Sequence, residues 1–159
     1  MLTHVSQSDV PNMVDVGGKE VTHRTAVAEA WVQLPEALAA QFADGELRTK
    51  KGPVFHTAII AGTMGAKKTS ELIPFCHPLG LEDCKLDISM GPAGRVRILC
   101  SVSVHHKTGV EMEALTGASV AALTVYDMCK SASRGIVIEK VHLLEKRGGK
   151  SDYDFAPTG

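Results

Sequence analysis

The stretch that most constrains this chain runs from residue 84 to residue 105. Residues 84–90 alternate apolar and polar side chains, residues 91–94 read Gly-Pro-Ala-Gly, and alternation resumes through Val96, Ile98, Cys100, Val102 and Val104. Successive side chains of a strand point to opposite faces, so a period of two writes one buried face and one open face. Gly-Pro-Ala-Gly between two such runs is a turn. The stretch predicts a long antiparallel hairpin whose apolar side another layer must cover.

The flanking sequence supplies that layer. Residues 21–34 alternate through Val27, Glu29, Trp31 and Gln33 and predict a strand. Pro35 suits the first position of a helix over residues 36–42, which Asp44-Gly45 ends. A polar, basic loop (46–53) leads to a helix over 54–72. Gly62 and Gly65 lie inside it. Each costs about 1 kcal/mol relative to alanine, which predicts close packing on another backbone. Pro74 and Pro78 exclude helix between 73 and 79. Residues 114–130 predict a helix dominated by Ala114, Gly117, Ala118, Ala121 and Ala122, and residues 136–144 return as a strand.

The order is β-α-α-β-β-α-β. With the two consecutive helices as one crossover it is the split βαβ pattern, a ferredoxin-like α+β fold with an antiparallel sheet and helices packed on one face. One domain over 1–159 is expected, with 1–12 and 151–159 flexible. The open sheet face and the Ala/Gly-rich helices call for a homo-oligomer.

Charge and composition remove several functions. A net charge of −1 provides no field toward nucleic acid or membrane, and 4% aromatics do not make a base-stacking platform. No run of about 18 apolar residues predicts a transmembrane helix, and residues 1–11 do not read as a secretory signal, so a cytoplasmic location is expected. The four cysteines include no C-x-x-C pair, which argues against a zinc site, and that location argues against disulfides. Basic residues nonetheless cluster at Lys50-Lys51, Lys67-Lys68 and Lys146-Arg147-Lys150, enough to hold a small polyanion.

Four segments carry candidate chemistry. Pro74-Phe75-Cys76-His77-Pro78 brackets a thiol and an imidazole between rigid residues, which pre-orders a site; a loop histidine alone is as readily structural. Glu111 and Glu113 share a face if extended and diverge if helical, and they also suit the start of a helix. Asp127 and Lys130 sit three apart on a helix, and Asp127 continues the stripe of Val120 and Leu123, expected to be buried. The two are an acid–base pair or a structural ion pair. The tail Lys146-Arg147-Gly148-Gly149-Lys150-Ser151 ends like a phosphate loop, but Leu144 stands where the first glycine belongs. These parts point to an enzyme acting on a phosphorylated small molecule. A non-catalytic nucleotide-binding module, or a phosphohydrolase using Glu111, Glu113 and Asp127 as magnesium ligands, stays open.

Several segments together resemble one family: Met13-Val14-Asp15-Val16, residues 72–79, residues 107–116, residues 121–130 and Gly148-Gly149-Lys150-Ser151. They are similar to the cyclic pyranopterin monophosphate synthases, the molybdenum cofactor biosynthesis protein C family, over about residues 13–155. The resemblance implies a cytoplasmic lyase. Its substrate would be (8S)-3′,8-cyclo-7,8-dihydroguanosine 5′-triphosphate, its products cyclic pyranopterin monophosphate and pyrophosphate. It implies a ferredoxin-like fold and a hexamer built as a trimer of dimers with sites between subunits. It makes Asp127 and Lys130 the acid–base core, with Lys51 across the site. Phe75, Cys76, His77, Glu111, Met112 and Glu113 would line the substrate pocket, and Lys146 and Lys150 would lie near the phosphates. No cofactor is implied; magnesium as a companion of the triphosphate is left open.

Overall fold

The computed structural model describes residues 9–157. A sheet of five antiparallel strands forms from β1 (Thr22–Gln33), β4 (Asp83–Met90), β5 (Arg95–His106), β6 (Val137–Arg147) and β7 (Tyr153–Asp154), in the order β4-β5-β1-β6-β7. The short strands β2 (Arg48–Thr49) and β3 (Gly52–Pro53) pair separately. The helices are α1 (Glu36–Ala39), α2 (Val54–Lys67), α3 (Thr69–Leu72) and α4 (Glu111–Cys129). Without β7, the order of the large sheet is the split βαβ arrangement. Its two crossovers run through α2 and α4, which pack on one face.

The expected hairpin is present: β4 and β5 pair from Asp83↔Ser103 to Met90↔Val96. The alternation sends Val96, Ile98, Cys100, Val102 and Val104 inward, opposite Ala26, Ala28, Ala30 and Val32 of β1. Small residues on β1 and α4 bring the layers close. A β-carbon at Gly62 would stand 2.9 Å from the Gly117 carbonyl oxygen, and one at Gly117 would stand 2.5 Å from the Cys100 Sγ. The glycines inside α2 are therefore contact points, as their cost in an isolated helix suggests.

Element boundaries shift from the sequence expectation for local reasons. The helix over 54–72 is two helices, because Lys68 leaves helical geometry (φ −103°, ψ 11°). The first helix ends at Ala39 rather than 42. Helix α4 begins three residues before Ala114, so Glu111 and Glu113 both lie in its first turn. The 46–53 loop carries the β2–β3 hairpin. Strand β6 continues to Arg147 and part of the tail expected to be flexible pairs with it: Lys146↔Tyr153, with the Phe155 N–H donating to the Leu144 carbonyl at 2.8 Å. Residues 1–8 of the expected flexible N-terminus lie outside the described residues.

Candidate active site

A concavity of about 510 Å³ opens where the N-terminal end of α4 meets the 73–79 segment. Phe75, Cys76, His77, Glu111, Met112 and Glu113 line it. The prolines hold the 73–79 backbone out of helix, which turns three consecutive side chains toward one wall. The His77 Nε2–H donates to the Val14 carbonyl at 2.7 Å, because a carbonyl can only accept. In the neutral ring this leaves Nδ1 as an acceptor.

Glu113 is 4% exposed. Burial, with the Glu111 carboxylate adding to it, pushes its pKa up to about 7, against one hydrogen bond from its own backbone. Burial also pushes the Cys76 thiol up, and Glu113 adds to that, so Cys76 is a neutral lining group and not a poised thiolate. Glu111 instead meets a cation, with Lys146 Nζ 3.3 Å from its Oε1. Its carboxylate folds back onto Gly109, where any side chain would collide with it. Lys146 thus reaches the cleft through Glu111. Lys150 is exposed and does not line it.

A proton held above the unfolded value makes Glu113 a source of pH dependence. Its folded pKa is raised, so the contribution to stability is full below about pH 4.5 and is lost as pH rises toward about 7. Urea unfolding of wild type should therefore show a slope from this group approaching about 1.4 kcal/mol per pH unit across that window. Glu113→Gln should remove that part of the slope. An unchanged slope in the variant would refute the assignment.

The second cluster lies at the other end of α4. Asp127 Oδ2 is 2.9 Å from Lys51 Nζ and its Oδ1 is 3.1 Å from Lys130 Nζ. Lys51 sits in the β2–β3 turn and also donates to the Asp127 carbonyl at 3.3 Å. The two ammonium groups, Lys51 first, hold the Asp127 carboxyl below its usual range. The stripe of Val120, Leu123 and Asp127 exists but is not buried within the chain: Leu123 is 59% exposed and the Asp127 side chain 53%. This corrects the expectation of a desolvated carboxylate. The stripe is the face of α4 turned away from the sheet.

Within one chain the two clusters do not meet. Sixteen residues of helix separate Glu111 from Asp127, about 24 Å at 1.5 Å per residue. Glu111, Glu113 and Asp127 therefore do not form one metal site in a single chain. Among the described residues no group of three or more His, Cys, Asp or Glu could hold a metal ion, and no helix is long and apolar enough to cross a membrane. Lys19 also stands in the cleft wall without being among the candidate residues, and Thr108 of the 107–116 segment lines it too. The nearby Met13–Val16 motif is the signal for Lys19.

Comparison with known proteins follows the same segments. The model of the MoaC family matches residues 13–149. A cyclic pyranopterin monophosphate synthase from Xanthomonas campestris pv. campestris is 55% identical over 98% of this chain and 94% of its own length. A molybdenum cofactor biosynthesis bifunctional protein from Synechocystis is 50% identical over 99% of this chain and 46% of its length. Molybdenum cofactor biosynthesis protein 1 from Dictyostelium discoideum is 44% identical over 94% of this chain and 26% of its length.

Proposed function

The chain belongs to the MoaC family, and on that premise we propose that it is a lyase of molybdenum cofactor biosynthesis. It converts (8S)-3′,8-cyclo-7,8-dihydroguanosine 5′-triphosphate to cyclic pyranopterin monophosphate and releases pyrophosphate. The observation that carries the mechanistic reading is the exposed stripe on α4, with the cleft at one end and the Lys51–Asp127–Lys130 cluster at the other.

Met112, Leu123 and Asp127 fall within one narrow sector of the helix at 100° per residue, and Met112 and Leu123 are exposed apolar side chains. Ile60 and Met64 of α2 add to the apolar surface. A second copy laid antiparallel along this stripe would bury it and set one chain's cluster over its partner's cleft. Such a dimer has two equal sites. Three dimers would make the hexamer the resemblance implies. The protein works in the cytoplasm.

In the completed site, the cleft holds the ring system and Lys146, with Lys150, faces the phosphates. Asp127, kept ionised by its two ammonium partners, accepts protons. Lys51 and Lys130 donate them as the purine-derived ring opens and closes into the pterin. A sugar hydroxyl then attacks the α-phosphorus. The new phosphoester bond forms as the bond to the β-phosphate oxygen breaks, and pyrophosphate leaves. The cations stabilise the charge that develops on the phosphoryl oxygens. No resident cofactor is assigned; magnesium enters only as the counter-ion of the substrate's triphosphate.

Purified protein given this substrate should form the cyclic monophosphate and pyrophosphate in equal amounts, read by mass spectrometry and a pyrophosphate assay. Tight binding with no turnover would replace this reading with the nucleotide-binding module.

A further inference from the structure

We propose that Glu46, buried and remote from the cleft, is a positioning residue that sets Lys51 against Asp127. This rests on Lys51 acting in the reaction as just proposed. Glu46 is 5% exposed, and its carboxylate accepts three backbone N–H groups: Leu47 and Phe55 at 2.7 Å on Oε1, and His56 at 3.1 Å on Oε2. Phe55 and His56 belong to the first turn of α2, whose amides have no partner inside the helix. Leu47 opens the β2–β3 hairpin, and its carbonyl accepts from Val54 at 2.8 Å.

One carboxylate therefore ties both ends of the segment that carries Lys51 to the start of α2. Glu46 itself is fixed by the Asp44-Gly45 turn, with φ values of 53° and 74°, and by paired backbone bonds with Ala43 at 3.0 Å. Burial raises the Glu46 pKa, but the three amides outweigh it and hold the group ionised. The hairpin has only two residue pairs of its own, Arg48↔Pro53 and Thr49↔Gly52. Its tip is otherwise held by the Lys51 N–H donating to the Thr49 hydroxyl oxygen at 3.3 Å and by the Lys51 ammonium on Asp127, and the Lys51 side chain is 48% exposed.

Glu46→Gln keeps the shape and the Oε1 acceptor but turns an amide N–H toward His56; Glu46→Ala removes the clamp. Turnover per folded oligomer is measured for both, beside Lys51→Ala. The reactivity of the Lys51 amine toward an acylating reagent is read by peptide mass spectrometry. Expected is a fall in kcat of about 10-fold for Gln and about 10²-fold for Ala with KM little changed, as for a misplaced catalytic group. Lys51 should become more reactive in both variants. Adding Glu46→Gln to Lys51→Ala should produce no further loss. Wild-type kcat and Lys51 reactivity in folded Glu46→Gln would overturn the inference while leaving Lys51 in its role. Wild-type turnover by Lys51→Ala would remove that role, and the inference with it.

Discussion

Lys51→Ala and Lys130→Ala should each lower turnover by about 10²–10⁴-fold while leaving a folded oligomer. Both ammonium groups lie within 3.1 Å of the Asp127 carboxylate, so each can exchange a proton with it or with a substrate atom beside it. Both are about half exposed, and exposed ion pairs contribute little to folding. The two losses can therefore be read as chemistry and not as unfolding. Steady-state rates with size-exclusion profiles on the same preparations check this. Wild-type product formation by either variant would strike that lysine from the mechanism.

Asp127→Asn should abolish pyrophosphate release while substrate still binds. The amide keeps the shape of the carboxylate and cannot take a proton near neutral pH. The wild-type carboxyl is held ionised by Lys51 and Lys130, so it is present as an acceptor throughout the neutral range. Removing its charge also frees two cations, and a triphosphate should bind the variant at least as tightly. Calorimetry beside a pyrophosphate assay separates the two effects. Unchanged pyrophosphate release would leave Asp127 a neutraliser of lysines.

Much of the fold is legible in residue order because strand alternation is strong: Val96 to Val104 and Ala26 to Val32 point inward as a period of two requires. Helix ends are less legible: nothing local announces the break at Lys68, while the start of α4 at Glu111 agrees with the acidic pair that suits a helix start. The cleft residues Phe75, Cys76 and His77 announce themselves through bracketing prolines. The role of Asp127 is legible only as a pair with Lys130. Lys51, seventy-six residues away, enters through the family resemblance, and the fold adds its direct 2.9 Å contact with Asp127. The exposure of the α4 stripe is not legible, because a period of 3.6 shows that a face is apolar, not what covers it.

The burial of Glu46 and Glu29 is invisible to pattern reading. Glu46 looks like one more polar loop residue. Glu29 looks like an outward strand position, yet it is 6% exposed and is bonded by Arg97 at 2.6 Å and His142 at 2.9 Å. Burial pushes Glu29 up, and those two partners together with Trp31 more than offset it. Only the folded chain brings their donors together.

In the proposed dimer the Lys51–Asp127–Lys130 cluster of one chain works with the His77 and Glu113 cleft of another. His77→Ala should be inactive because the cleft holds the ring system, and mixing it with inactive Asp127→Asn, with subunit exchange verified by mass, tests this most directly. Random pairing across a two-fold interface leaves about a quarter of the sites with both halves intact, so activity should return to about that fraction. Mixing Asp127→Asn with Lys51→Ala should restore none, because those residues share a chain at 2.9 Å. No recovery in the first mixture, or recovery in the second, would contradict the account.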